Sequence, residues 1–159
     1  MSPATIRQAA SPDDLALLRE VFRAYADWLA EVEGHDLDAG GFAAELAGLP
    51  GPYAPPRGAL LLARSAAGAG LGCVALRDLG HGTAEIKRLF VAPEARGQSL
   101  GRRLAEAAVA AAKAAGYRRV VLDSLPGLAA ARALYRDLGF RDIAPYHDAR
   151  GLVFMGRDL

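Results

Sequence analysis

The sequence predicts an α+β domain built on a mixed, mostly antiparallel β-sheet flanked by helices, and three observations lead there. Three apolar, strand-like runs follow one another, "ALLLAR", "GLGCVALRDL" and "TAEIKRLFV", joined by the small-residue turns "SAAGAG" and "GHG", which is the pattern of an antiparallel meander. The second half alternates helix, strand and helix. A terminal pair of short strands then closes the chain, so the coarse order is β-α-α-β-β-β-α-β-α-β-β, with no internal repeat.

"TIRQAA" is the first strand. Ser11 is placed to cap the helix that follows, with Pro12 in its first turn, where a missing N–H costs nothing. Leu15, Leu18, Val21, Phe22, Tyr25, Trp28 and Leu29 recur at three and four, so the helix buries one face and runs to about Val32. "GGFAAELAGL" is a second, shorter helix, and "PGPYAPPRG" is a proline- and glycine-rich loop. Beyond the meander, a helix from roughly Ser99 to Ala114 leads through Gly116 to the strand "RRVVLDSL". The next helix, "LAAARALYRDL", stops at Gly139, and "FRDIAPY" and "GLVFMGRDL" form the terminal strand pair.

A length of 159 residues fits one domain over residues 1–159, long enough for a sizeable core without disulfides or metal. The formal net charge of +1 argues against bulk binding to nucleic acid or to a membrane surface. Cys73 is the single cysteine and lies in an apolar run, as a small buried hydrophobe would. His81 and His147 fall in loops without metal-ligand spacing and read as surface histidines, so no metal is expected. With no basic-then-apolar leader and no membrane-length apolar run, the expected location is the cytoplasm.

The stretch "ARGQSLGRRL" follows a strand and opens a long helix, a place where free backbone N–H groups gather and an anion is held. It lacks the Gly-Lys-Ser/Thr ending of a nucleoside-triphosphate loop, and no G-x-G-x-x-G stands between strand and helix. "GAGLG", at Gly68 to Gly72, leads into a strand and is a turn. What remains is V-x-P-x-x-R-G-x-x-L-G after a strand, with a Tyr-x-x-x-Gly-Phe helix end further on. This order resembles the GNAT superfamily of acetyl-CoA-dependent N-acetyltransferases, and "AEIKRLFV" and "ARALYRDLGF" resemble that family's central strand and fourth helix. Arg96, Gly97, Gln98, Leu100 and Gly101 match its loop, while Ser99 stands where the middle glycine is usual.

The resemblance implies acetyl-CoA as co-substrate, its pyrophosphate held by the backbone from Arg96 through Gly97, Gln98, Ser99, Leu100 and Gly101 to Arg102. It also implies main-chain contacts to pantetheine from Leu89, Phe90 and Val91. A serine in the loop must adopt a backbone conformation that glycine reaches freely. Tyr135 matches the family's tyrosine near the thioester sulfur, and a phenol remains protonated at neutral pH and can protonate a departing thiolate. Glu85 matches the general base of some members, with a strand-end charge or a water chain as the other readings. Arg88 is the expected clamp for a carboxylate on the acceptor, or else the partner of Glu85 or Asp123. Tyr53, Arg57 and Tyr146 are expected in loops facing the acceptor. Leu128 stands where the family commonly has asparagine.

The expected activity is transfer of an acetyl group to a primary amine of a small molecule, directly, within a ternary complex. The other readings are a protein or peptide N-acetyltransferase and a non-catalytic coenzyme A-binding regulator. The partner expected is the amine substrate, without nucleic acid or membrane, and a homodimer is left open.

Overall fold

A computed structural model describes residues 3–159 and shows one seven-stranded sheet in the order β1-β2-β3-β4-β5-β7-β6. The strands are β1 (Thr5–Gln8), β2 (Ala59–Arg64), β3 (Gly70–Gly80), β4 (Thr83–Val91), β5 (Arg119–Ser124), β6 (Arg141–Asp142) and β7 (Val153–Asp158). The helices are α1 (Pro12–Glu33), α2 (Phe42–Ala47), α3 (Leu100–Ala114) and α4 (Ala129–Asp137). The element order is the one read from the sequence. Every strand pair is antiparallel except β4 with β5, which are parallel because α3 carries the chain from one to the other.

Alternation along β2 shows how the sheet is covered on both faces. Leu60 and Leu62 point into the cluster around Phe22, Ala26 and Phe42, under α1 and α2. Ala59, Leu61 and Ala63 point into the cluster under α3, with Leu104, Ala105 and Ala108. Small residues on α3 let its axis approach the sheet closely. At Gly72 a Cβ would lie 2.6 Å from the Phe90 carbonyl oxygen and 3.0 Å from Leu104, so glycine is required there for strand and helix to meet.

Ser11 caps α1 as expected: its side chain accepts the Asp14 N–H at 3.1 Å, and the Asp14 carboxylate takes the N–H groups of Ala10 and Ser11 in return. Arg64 reaches the same carboxylate at 3.1 Å, tying the helix start to the end of β2. The Ala10 N–H bond, foremost, holds the Asp14 carboxyl below its ordinary range. The expected loop over residues 50–58 contains a turn of 3₁₀ helix, Gly51–Tyr53, of which Tyr53 alone is buried, and the first strand of the terminal pair shrinks to Arg141–Asp142 at the sheet edge.

Candidate active site

β4 and β5 are paired only at Thr83, Ala84 and Glu85, opposite Arg119, Val120 and Val121. Beyond Glu85 the two strands part. The cause lies on the other edge of β4, where Cys73 pairs with Phe90 but Ala75 pairs with Lys87, so β4 carries one residue more than β3. Arg88 sits in this bulge with φ 61°, and the Cys73 thiol donates to its carbonyl at 3.2 Å. The bulge switches side-chain alternation: Ala84 and Ile86 precede it on the α3 face, and Leu89 and Val91 follow it there. Between the parted strands lies a cavity of about 420 Å³, walled by Ile86 to Leu89 on one side and Asp123 to Leu125 on the other. Tyr25 of α1 and Tyr135 of α4 also line it.

α3 begins beyond the end of β4, where Gly101 faces Val91 of β4 and Leu134 of α4. Ser99 is its N-cap residue in left-handed conformation, φ 58° and ψ 19°, and its side chain makes no capping bond. Gly97, at φ 81°, also takes the left-handed region. Consecutive N–H groups from Gly97 to Arg102 donate to no other atom among the described residues, and the first backbone bond of α3 runs from Arg103 to the Ser99 carbonyl. This is an anion cradle made of main chain, reinforced by the helix dipole. The arginines around it are engaged locally. Arg96 donates to the Val91 carbonyl at 3.0 Å and lies over the Trp28 ring, Arg102 pairs with Glu106 and Asp137, and Arg103 donates to the Ala4 carbonyl. Of the three residues matched to pantetheine contacts, Leu89 lines the cavity, while the Phe90 side chain turns away to Tyr25 and Trp28.

Tyr135 is buried, its ring edge-on to Phe140 at 5.3 Å. Its hydroxyl makes no hydrogen bond, yet no buried side-chain polar atom among the described residues lacks a partner, so that hydroxyl opens into the cavity. Burial pushes the phenol above its ordinary pKa and keeps it protonated, and burial raises Tyr25 to about 12.

The other expected site residues are placed differently. Glu85 is 1% exposed and lies outside the cavity: Oε1 takes Arg77 at 2.7 Å, with Lys87 at 3.9 Å, and Oε2 takes the Tyr146 hydroxyl. Both oxygens are occupied, so the geometry makes Glu85 an anchor rather than a free proton acceptor. The short reach from β3 decides this, since Arg77 and Glu85 are register partners. Arg88 lines the cavity, but its planar fork grips Glu45 of α2 at 2.8 and 2.9 Å, a partner in neither of its expected pairings. Tyr53 is buried beside Glu45 rather than facing an acceptor, and burial raises its pKa. Arg57 pairs with Asp78 and lies over Tyr117, outside the cavity lining. Tyr146 meets Glu85 instead of open cleft.

One pair escaped the sequence reading. His147 and Asp123 both line the cavity, with Nε2 and Oδ2 2.6 Å apart. A loop histidine and a strand-end aspartate 24 residues apart share no spacing pattern, so nothing local announces them.

Fold and site together define a class of protein that pairs a main-chain anion cradle at a helix start with a cleft between parted parallel strands. The profile of the Acetyltransferase (GNAT) family matches residues 53–140, and the chain belongs to that family. An uncharacterised N-acetyltransferase of Schizosaccharomyces pombe is 42% identical over 104 residues, 65% of this chain and 64% of that protein's length. Among solved structures, a provisionally assigned acyl-CoA N-acyltransferase from Klebsiella pneumoniae is 30% identical, with TM-score 0.73 over 98% of this chain and 97% of its own. The PaiA N-acetyltransferase of Thermoplasma acidophilum, solved with coenzyme A, shares the fold at TM-score 0.76 and 21% identity, covering 100% of both chains.

Proposed function

We propose that the protein is a cytoplasmic acetyl-CoA-dependent N-acetyltransferase that moves the acetyl group directly to a primary amine of a small molecule. The observation that carries this reading is the run of unengaged N–H groups from Gly97 to Arg102, beyond the end of β4 and beside Val91 and Leu134. A pyrophosphate fits such donors, and the unpaired edge of β4 beyond Glu85 offers main chain to an extended pantetheine. The bound co-substrate supplies the thioester carbonyl that the amine attacks. Tyr135 supplies the proton that the departing sulfur takes, since its hydroxyl is protonated and faces the cleft. A cavity of about 420 Å³, shared between the thioester end and the acceptor, favours a small acceptor.

Direct transfer is favoured because Cys73 is unsuited to carry an acetyl group. It is fully buried, burial raises its pKa, and its thiol is bonded to the Arg88 carbonyl. The test is thiol release from acetyl-CoA across a panel of aliphatic and aromatic amines, amino acids and peptides, with calorimetric titration of acetyl-CoA alongside. Turnover with small amines, retained in Cys73→Ala, is expected. Turnover confined to peptides would replace the acceptor class, and binding without release under any amine would leave a coenzyme-binding regulator.

A further inference from the structure

We propose that Asp123 is the seat of the acceptor's ammonium group and the first station for its proton, with His147 as the positioning residue that holds this carboxylate. The inference rests on the transferase reading above and adds the wall of the cleft on which the amine docks. Its starting point is the hydrogen-bond network. His147 Nδ1 accepts the Ala149 N–H at 3.2 Å, so the ring proton of the neutral imidazole belongs on Nε2 and is donated to Asp123 Oδ2, 2.6 Å away. Asp123 Oδ1 then remains. It takes no hydrogen bond, and because no buried side-chain polar atom among the described residues is left unpartnered, Oδ1 opens into the cavity.

The carboxylate is also held still. Tyr146 bonds Glu85 on β4 and the next residue, His147, bonds Asp123 on β5, so this dipeptide spans the opening between the two strands. Both rings pack edge-on to Phe154, at 5.2 and 4.8 Å, and Phe154 is the register partner of Asp123. Such support preorganises a charged group.

Charge decides what ligand it takes. Lys87 and Arg88 of β4 face the same cavity, but Lys87 lies 3.9 Å from Glu85 and Arg88 is locked to Glu45. Tyr25 of α1, Tyr135 of α4, and His35 and Asp36 after α1 are the remaining titratable groups there. No arginine or lysine side chain lies within ion-pair distance of Asp123 among the described residues. A half-buried carboxylate without a cation gains most from a cationic ligand, and an ammonium is the cation an N-acetyltransferase must receive.

The step balances as follows. The ammonium gives one proton to Asp123 Oδ1, which later passes it to solvent. The freed lone pair forms the C–N bond as the C–S bond breaks, Tyr135 gives its proton to sulfur, and the nitrogen's second proton restores Tyr135.

The experiment separates binding from turnover. N,N-dimethylbenzylamine, N,N-dimethylphenethylamine and N,N-dimethylbutylamine are cations at neutral pH that keep one N–H and yield no stable amide. Each is titrated calorimetrically into acetyl-CoA-loaded wild type, Asp123→Asn, His147→Ala and His147→Gln. At least one probe should bind wild type and lose tenfold or more in Asp123→Asn, with acetyl-CoA affinity unchanged. His147→Gln, which keeps a donor near Nε2, should restore binding lost in His147→Ala. With a reactive primary amine, Asp123→Asn should fall about 10²-fold in kcat/KM at pH 7 and recover as pH rises through the amine's own pKa, where the neutral form no longer needs a proton acceptor. Equal probe binding by wild type and Asp123→Asn, or no binding of any probe to wild type, overturns the proposal. Probe binding that depends on Asp123, without thiol release from any primary amine, sustains the cation seat and defeats the transferase reading instead.

Discussion

Tyr135 is the residue whose two properties are hardest to reconcile with a packing role alone: a buried ring and a hydroxyl without a hydrogen-bond partner among the described residues. A purely structural position would accept phenylalanine at no loss, whereas a proton donor cannot. Tyr135→Phe should therefore leave thermal stability and acetyl-CoA affinity close to wild type and lower turnover by about 10²- to 10⁴-fold, the usual range for a general acid. Steady-state thiol release beside calorimetry checks both halves, and full turnover in the variant would remove Tyr135 as the acid. Glu85 shows the opposite pattern. Its carboxylate is sealed between Arg77 and Tyr146, so its removal is felt in packing before it is felt in proton transfer.

At the scale of the element, α1 and α3 begin in contrasting ways. The start of α1 is saturated: Ser11 and Asp14 satisfy one another's backbone, and Asp14 carries a lowered pKa. A depressed carboxyl contributes stability that is present above its unfolded pKa of about 3.9 and is lost as pH falls through the folded value. Wild type should thus exceed Asp14→Asn by about 1 kcal/mol at pH 7. Urea unfolding should show that gap closing as pH falls from about 4 toward the folded value. The start of α3 is left unsatisfied and strained, with Ser99 in left-handed conformation. Ser99→Gly should stabilise the protein by about 1 kcal/mol in thermal unfolding and leave acetyl-CoA affinity equal or tighter. Gly101 has room for a side chain, since a Cβ would meet nothing nearer than Val91 at 3.6 Å. Folding does not demand glycine there, so weaker calorimetric binding in a folded Gly101→Val protein would locate the coenzyme against that backbone.

For the whole molecule, the cradle belongs to α3 and the cleft to β4, β5 and α4, so a ligand spanning them joins the two halves of the sheet. Acetyl-CoA at a hundredfold excess over its Kd should add about 2.7 kcal/mol. For a chain of this size that raises Tm by roughly 5–10 °C. Differential scanning fluorimetry should show the shift in wild type and Tyr135→Phe and a smaller one in Gly101→Val. An equal shift in Gly101→Val would speak against the cradle.

Local features carried much of this architecture in plain view. The Ser11 cap, the three-and-four periodicity of α1, the meander and the glycine-flanked start of α3 depend on neighbours within a turn or a hairpin, and sequence order alone states them. Acetyl-CoA and Tyr135 came from resemblance joined to that order. Partnerships across the fold were another matter. Arg88 was legible as a guanidinium suited to a carboxylate, but its capture by Glu45 depends on α2 folding back over the sheet. Tyr53 and Arg57, equally loop-like in sequence, went to a buried cluster and a surface pair outside the cavity. The meeting of His147 with Asp123 required the bulge at Arg88 to open β4 from β5 and the loop after β6 to cross the gap. Backbone propensity, capping and periodicity act between near neighbours and so are written along the chain. Which charges meet is settled by strand parting and helix docking, where distance in space has no counterpart in sequence spacing.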